Sequence, residues 1–312
     1  MKPKVVIIAG PTASGKTGLS IKLAKQINGE IVSCDSMQIY KEMNIGTAKP
    51  TIEEMDGIKH YMFDVVYPNE EFNVAVYKEM AEKCINEILE KGKTPILVGG
   101  TGLYIEALIN NIEFAETEID EKYRNELEKL AKEQGNEVIY NMLKEVDPKA
   151  CEKIHINNTK RIIRALEVYK QTGKNITYHN EMSKQNEAKY EYLLYGLTMD
   201  REKLYERINI RVDIMLKDGL IKEVEEITNK YNSFPTSMQG IGYKEVQKYL
   251  KNEYTYDEMI EILKQETRRY AKRQLTWFRR YDNLTWLDWD KLSQDEMIQK
   301  ICEDLGKEGI NV

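Results

Sequence analysis

The segment with the clearest chemical signature lies close to the N-terminus and matches the pattern G-x-x-x-x-G-K-[ST]. In this pattern the glycines let the backbone curl so that its N–H groups surround phosphate oxygens, while the lysine adds positive charge and the final hydroxyl can coordinate Mg²⁺. We therefore predict a phosphate-binding loop with Mg²⁺ as cofactor and Thr17 as its protein ligand. The residues of this loop are Gly10, Pro11, Thr12, Ala13, Ser14, Gly15, Lys16 and Thr17.

A carboxylate follows the next predicted strand. Asp35 comes at the end of a strand predicted over 30–34, and parallel sheets of this kind place functional groups beside the first βα loop. A carboxylate held there can accept a proton as a general base. The alternative is that Asp35 caps a turn with Ser36, which aspartate commonly does. The local sequence is compatible with both roles.

The third segment is notable for the residue that it lacks. In an ordinary NTPase a later apolar strand ends in an aspartate that helps to hold Mg²⁺, but the strand predicted over 94–98 ends in Gly99-Gly100-Thr101. A hydrolytic motor or switch is therefore disfavoured. Two other classes remain open at this point: a small-molecule kinase that uses the loop without this aspartate, and a nucleotide-gated RNA-binding module without chemistry.

Apolar patterning defines the elements that position these groups. A β-branched run at 5–9 predicts a strand buried on both faces, and helical spacing from Thr17 ends at Asn28-Gly29. A helix over 74–89 precedes the strand at 94–98, which gives a βαβ arrangement. Residues 113–171 are Glu/Lys-rich and helical, and 192–197 predicts a strand that returns to the sheet. Further helices are predicted over 201–218, 221–231, 243–250 and 256–281.

Composition limits the location and the partners of the chain. Its 312 residues are 41% apolar and 31% charged, which is typical of a globular protein with a sizeable core. The four cysteines form no Cys-x-x-Cys pair, and the apolar run at 5–9 is too short for a signal peptide or a membrane span. We therefore expect a cytoplasmic protein with no membrane contact. The formal net charge of −6 means that any contact with nucleic acid must be local.

Such a local contact is available in the basic run at 268–280. At helical spacing Arg269, Lys272, Arg273 and Arg280 share one face and can follow a phosphate backbone, while Ala271 and its apolar neighbours face the core. The alternative for a basic run of this kind is an ordinary solvated helix face.

Taken together, these motifs resemble the tRNA dimethylallyltransferase family, also called the tRNA isopentenyltransferase family. The resemblance covers nearly the whole chain and rests on seven ordered blocks. The blocks lie at 10–17, 35–40 (DSMQIY), 46–50 (GTAKP), 98–104 (VGGTGLY), 161–167 (RIIRALE), 240–243 (GIGY) and 271–277 (AKRQLTW).

The resemblance implies a reaction and a set of site residues. The donor would be dimethylallyl pyrophosphate, and the acceptor the exocyclic amine of the adenosine just 3′ of the anticodon. Asp35 would be the general base, Lys16 would stabilise the leaving group, and Thr101 would contact the donor or the tRNA. Arg207 and Arg211 are carried over as further charge at the pyrophosphate. The tRNA contacts carried over are Asp35, Ser36, Met37, Gln38, Thr101, Arg124, Thr159, Lys160, Arg161, Ile162 and Ile163.

The overall expectation is an α/β fold, in which a P-loop NTPase-like parallel sheet is flanked by helices and carries an inserted helical tRNA-binding module. The catalytic domain is predicted over 1–113 and 192–312, and the module over 114–191. The expected partners are the tRNA anticodon stem-loop and dimethylallyl pyrophosphate. The expected assembly is a monomer.

Overall fold

The computed structural model describes residues 2–115, 117, 119–183 and 186–306. Its strands are β1 Lys4–Ala9, β2 Gly29–Ser33, β3 His60–Tyr61, β4 Thr94–Gly99, β5 Glu191–Thr198 and β6 Thr285–Asp288. Its helices are α1 Lys16–Ile27, α2 Ile52–Met55, α3 Val74–Glu90, α4 Gly102–Ile109, α5 Glu121–Gln134, α6 Asn136–Val146, α7 Pro148–Cys151, α8 Thr159–Thr172, α9 Ile176–Ser183, α10 Arg201–Lys217, α11 Leu220–Lys230, α12 Tyr243–Leu250, α13 Tyr256–Phe278 and α14 Gln294–Leu305.

The six strands form one sheet in the order β3-β2-β4-β1-β5-β6, and all the pairings are parallel. β1 lies inside the sheet between β4 and β5, and its residues from Val5 to Ala9 are buried, as a continuous apolar run requires. Because the strands are parallel, the carboxyl ends of β1, β2 and β4 meet at one edge. The predicted fold class, a P-loop NTPase-like parallel sheet flanked by helices, is confirmed.

Helix α1 links the phosphate loop to the core. Gly15 precedes it with φ +88°, a left-handed conformation that glycine adopts without strain, and Asn28 ends it in the same region of backbone space. The stripe that includes Leu19, Leu23 and Ile27 is buried against the sheet and against α14. The first turn of α1 therefore projects from a rigid support toward the carboxyl edge of the sheet.

The chain divides into two compact units, one formed by 1–105 with 190–312 and the other by 106–189. The sequence placed the module at 114–191, so its predicted start is later than the start in the structure. The reason is that α4 is one continuous helix, Gly102–Ile109, and the division falls inside it. Apolar spacing marks where a helix runs, but it does not mark where its packing partners change.

The second unit has its own core, in which Leu127, Ile139, Leu143 and Leu166 are buried together. Glu167 is also fully buried there, and its carboxylate is paired with Arg124 and Arg164. Arg124 Nε and Nη2 each lie 2.7 Å from one carboxylate oxygen, and the backbone N–H of Asp120 donates to the same carboxylate at 3.0 Å. These donors hold the pKa of Glu167 below its usual value despite burial.

Six of the strands and α-helices were missing from the sequence-based prediction: β3, β6, α2, α4, α9 and α14. β3 has two residues and β6 has four, so neither is long enough to show a period. Among the described residues, no helix is long and apolar enough to cross a membrane.

Candidate functional site

The phosphate loop lines a cavity of about 510 Å³ at the carboxyl edge of the sheet. Ala13 has φ +62° and Gly15 has φ +88°, a left-handed backbone conformation that recurs in anion-binding nests. The other walls come from the residues after β2 and β4 and from α10, α12 and α13. The predicted loop residues and the carboxylate at 35 are therefore brought to one site.

Two side chains of the loop can donate hydrogen bonds to a bound anion. The hydroxyl oxygen of Ser14 is buried and has no hydrogen-bond partner among the described residues. Lys16 Nζ donates to the loop's own carbonyl oxygens, to Gly10 O at 3.1 Å and to Pro11 O at 2.6 Å. A buried polar atom without a partner is costly, so a phosphate oxygen that accepts from Ser14 and Lys16 would satisfy this site.

The electrostatics of Lys16 are strongly perturbed. Burial and the neighbouring Arg211 lower its pKa to about 7, and Asp35 opposes them only in part. Arg211 lines the cavity, and burial together with Arg207 lowers its own pKa. The Nη2 atom of Arg207 lies 3.6 Å from the position that a Cβ on Gly15 would occupy. Lys16 and Arg211 therefore line the cavity with Arg207 close to them, and this concentration of positive charge favours a polyanion.

Asp35 uses its two carboxylate oxygens differently. Oδ1 accepts the backbone N–H groups of Met37 at 2.8 Å and Gln38 at 3.3 Å, so it holds the turn after β2. No hydrogen bond from the described residues reaches Oδ2. Burial raises the pKa of the carboxyl, while the two backbone donors and Lys16 oppose the rise. Both sequence interpretations are therefore compatible with the geometry, because one oxygen caps a turn and the other is free to accept a proton.

Thr101 connects the ends of β2 and β4. Its backbone N–H donates to Cys34 O at 3.1 Å, and its hydroxyl oxygen accepts the N–H of Ser36 at 3.0 Å. The hydroxyl also interacts with Tyr270 of α13. Burial and the charge of Asp35 raise the pKa of Tyr270 to about 12, so its phenol is protonated at neutral pH. Thr101 is thus fixed to the turn that carries Asp35 but is not among the residues that line the cavity, and its contact with the donor or the tRNA stays a prediction.

The side chain of Gln38 is already committed to protein partners. Its Nε2 donates to the carbonyl oxygens of Thr47 and Ala48, each at 3.2 Å, and its Oε1 accepts from Ser33 at 3.1 Å. Gln38 lines the cavity together with Ser36 and Met37, and the contact of this segment with tRNA stays a prediction. Its amide, however, mainly fixes the segment at 44–48 that forms the adjoining wall.

That segment is held by a residue to which sequence reasoning gave no role. Glu223 of α11 is buried, and its carboxylate accepts the backbone N–H groups of Asn44, Ile45 and Gly46 at 2.7–3.0 Å and the hydroxyl of Tyr243 at 2.6 Å. The only sequence signal was a glutamate on the apolar stripe of a predicted helix, where a charged residue requires partners.

Trp289 is the second residue that the sequence did not identify. Its indole N–H donates to Ser14 O at 2.7 Å, and its ring lies 3.2 Å from the position of a Cβ on Gly15. The indole therefore supports the outer side of the phosphate loop. Its alternating apolar surroundings indicated packing, but nothing in the sequence indicated packing against a loop almost three hundred residues away.

The basic run on α13 divides between two environments. Ala271 and Phe278 are fully buried, which confirms the predicted core-facing side. Arg273 lines the cavity, with its guanidinium carbon 5.7 Å from the ring centre of Tyr270. Arg269 and Lys272 are exposed and do not line it, and Arg269 pairs with Glu266 at 2.6 Å. Their contact with tRNA therefore stays a prediction.

The tRNA contacts predicted in the second unit need one correction. Ile162 and Ile163 are 0% and 3% exposed in the core of that unit, so their side chains cannot contact RNA. Thr159 and Lys160 begin α8, and Arg161 follows on its exposed side. The block at 159–163 thus presents polar side chains and a helix N-terminus, while its two isoleucines anchor the helix.

The residues that line the cavity are compatible with a magnesium ion, which would be held mainly by phosphate oxygens of a bound substrate. Among the described residues, no three His, Cys, Asp or Glu side chains come together as a metal-binding group. Thr17 and Asp35 do line the same cavity as the phosphate-binding groups. Mg²⁺ commonly binds through one or two protein oxygens together with phosphate oxygens and water.

Comparison with known proteins gives a consistent result. The family model described as IPP transferase matches residues 38–281. The tRNA dimethylallyltransferase of Acetivibrio thermocellus is 58% identical over 297 residues, which is 95% of each chain. The tRNA dimethylallyltransferase of Carboxydothermus hydrogenoformans is 49% identical over 306 residues, which is 98% of each chain.

Solved structures agree with the sequence relatives. The tRNA isopentenylpyrophosphate transferase of Bacillus halodurans is 45% identical, with a TM-score of 0.73 over 98% of this chain and 96% of that one. A eukaryotic dimethylallyltransferase acting on tRNA is 32% identical, with a TM-score of 0.82 over 99% of this chain and 81% of that one. The family model covers well over half of the residues, and the relatives match along nearly their whole length. This chain therefore belongs to the IPP transferase family.

Proposed function

We propose that the protein transfers a dimethylallyl group from dimethylallyl pyrophosphate to the N6 amine of the adenosine 3′-adjacent to the anticodon of tRNA. The observation that carries the proposal is that a cationic phosphate loop and a carboxylate with one free oxygen face the same cavity. Family membership supports the same reaction, since the two relatives compared above are tRNA dimethylallyltransferases. No feature of the cavity favours phosphoryl transfer over it.

The reaction breaks the bond between C1 of the prenyl group and the pyrophosphate oxygen, and forms a bond between C1 and N6. Negative charge grows on the departing pyrophosphate, where Lys16, Arg211 and the loop N–H groups stabilise it. The amine becomes acidic as its bond to carbon forms, and Oδ2 of Asp35 accepts the proton. Thr101, which is fixed to the turn of Asp35 through Ser36, would orient the donor or the adenosine.

Magnesium would be held by Thr17, and when bound it supplies further positive charge for the leaving pyrophosphate. Asp35 is reserved for the proton in this proposal. The structural support for an anion at this place is the buried, unpartnered hydroxyl of Ser14.

The tRNA contacts in the proposal come from several elements. The cavity wall at 35–38 would receive the adenine, which must leave its stack at a cost of a few kcal/mol, less in a loop than in a duplex. Arg269, Lys272 and Arg273 of α13 would contact phosphates, as would Lys160 and Arg161 at the start of α8. The proposal includes a cytoplasmic location and a monomeric state. The four cysteines are free thiols, as a reducing compartment favours.

A transfer assay tests the reaction. The protein is incubated with labelled dimethylallyl pyrophosphate, ATP and unmodified tRNA, and the label or phosphate is located in the products. The expected result is prenylated tRNA with pyrophosphate released and ATP unchanged. Phosphoryl transfer, or binding without chemistry, would overturn the proposal.

Replacing Asp35 by Asn tests the base. Asn keeps an oxygen that can accept from Met37 and Gln38 but cannot accept the proton, so single-turnover transfer should slow by about a hundredfold or more. The matched control is Asp282→Asn, which changes an exposed carboxylate outside the cavity and should leave the rate unchanged. If Asp35→Asn retains a rate within a few-fold of the parent, Asp35 is not the base.

A further inference from the structure

Gln274 of α13 joins the two loops that carry the chemistry. Its side chain is 5% exposed and lies between the phosphate loop and the turn after β4. Oε1 accepts the backbone N–H of Thr12 at 2.9 Å, and Nε2 donates to Gly100 O at 2.9 Å. One planar amide therefore fixes the separation of two backbone segments that have no covalent connection nearby.

The amide occupies the space that a side chain at Gly100 would fill. A Cβ on Gly100 would lie 2.0 Å from Nε2 of Gln274 and 3.1 Å from Gly10 O, so the absence of a side chain at Gly100 is what admits the amide. Tyr270, one turn earlier on the helix, interacts with both Gln274 and Thr101. The helix thus contacts the phosphate loop at Thr12 and the turn at 100–101.

We infer that Gln274 is a positioning residue that sets the distance between the pyrophosphate held by the loop and the groups that face the adenosine. The inference rests on the proposed function, in which the loop holds the donor while Thr101 and Asp35 meet the acceptor. Thr12 N–H is directed to Gln274, so this donor aligns the loop instead of contacting phosphate. Because reacting atoms must approach within about 3–3.5 Å, a shift of about 1 Å between the loops can cost about a hundredfold in rate.

The first test replaces Gln274 by Met, which has similar volume and no strong hydrogen-bonding group. Single-turnover transfer should slow by about tenfold or more, while the KM for tRNA stays within about twofold, because the RNA-facing residues are untouched. The control is Gln265→Met, a change at an exposed glutamine of the same helix outside the cavity, which should behave like the parent. A Gln274→Met enzyme with the parental rate would overturn the inference.

The second test distinguishes alignment from mere packing. In Gln274→Glu the ionised carboxylate can accept from Thr12 but cannot donate to Gly100 O, whereas the protonated acid can do both. The rate relative to the parent at the same pH should therefore be lowest near pH 8 and rise by about tenfold or more toward pH 5.5. A flat ratio would contradict the inference.

The ratio to the parent reduces the contribution of other titrating groups. The charged and titratable groups that line the same cavity are Lys16, Asp35, Arg211, Lys244, Tyr270 and Arg273. All of them are present in both proteins, so the ratio removes the part of their effect on the rate that the substitution leaves unchanged.

A third measurement is independent of the reaction. The Thr12 amide, followed by NMR hydrogen exchange, should exchange at least about tenfold faster in Gln274→Met than in the parent, while amides in the centre of β1 keep their protection. Unchanged exchange at Thr12 would overturn the inference even if transfer by Gln274→Met is slowed. A parent protein that transfers no prenyl group would overturn the proposed function, and the exchange experiment would still decide the role of Gln274.

Discussion

The pKa of Lys16 makes donor binding depend on pH. In the protein without a bound anion, Lys16 has a pKa of about 7, lowered chiefly by burial and by Arg211. Bound pyrophosphate is a polyanion, which favours the protonated form and raises the pKa again. Binding therefore takes up a proton. The affinity for pyrophosphate is highest below pH 7, where Lys16 is already charged, and it falls progressively as the pH rises through 7.

The magnitude follows from the pKa of the free protein. The apparent dissociation constant is multiplied by 1 + 10^(pH − pKa), which is about 1.1 at pH 6 and about 11 at pH 8. We therefore expect the titration of Lys16 alone to weaken pyrophosphate binding about tenfold between pH 6 and pH 8, equivalent to about 1.4 kcal/mol. At pH 7 Lys16 itself should take up about half a proton for each pyrophosphate bound.

Isothermal titration calorimetry with inorganic pyrophosphate measures the affinity directly. The number of protons taken up follows from repeating the titration in buffers that differ in ionisation enthalpy. Pyrophosphate itself titrates in this range, so the comparison is with Lys16→Arg, whose guanidinium stays charged. The parent should lose about tenfold more affinity than Lys16→Arg between pH 6 and pH 8, whatever their absolute affinities. Parallel pH curves for the two proteins would refute the reasoning.

Three further predictions concern other parts of the structure. Glu223→Gln replaces an acceptor oxygen by an NH₂ group facing backbone donors and should lower the free energy of unfolding by about 2 kcal/mol or more, measured with urea; a change below about 0.5 kcal/mol would contradict the role given to this carboxylate. Glu167→Gln removes the buried charge that pairs with two arginines. Because both arginines are partly exposed, it should lower the free energy of unfolding by only about 2 kcal/mol, and a smaller effect would count against the ion-pair argument. Replacing Arg269 and Lys272 together by Ala should reduce the slope of log K for tRNA against log salt by about two, and an unchanged slope would leave these residues as a solvated surface.

The sequence predicted the elements that have long, regular patterns. The run at 5–9, the stripe of α1 and the helices at 74–90 and 243–250 agree with the structure to within about one residue at each end. These segments are buried by their own apolar period, so the pattern and the structure have the same cause.

The contacts that complete the site could not be predicted in the same way. Glu223, Gln274 and Trp289 act through backbone atoms of distant segments, and a backbone donor or acceptor leaves no signature in the side chains around it. The two isoleucines at 162 and 163 show the opposite difficulty. Their block was carried over as a unit from the resemblance, although neighbouring positions on a helix face different environments.

The support of the phosphate loop by Trp289 has a consequence for how the protein is made. Ser14 emerges from the ribosome 275 residues before the indole that donates to its carbonyl oxygen. At about 5–20 residues per second, translation separates the two by about 14–55 s. During that interval the nascent chain carries the complete phosphate-binding motif without its outer support, and a chain released before residue 289 never acquires it. The ability to bind the donor should therefore appear late and abruptly during synthesis. The phosphate loop is supported on its outer side only in chains that have been translated beyond residue 289.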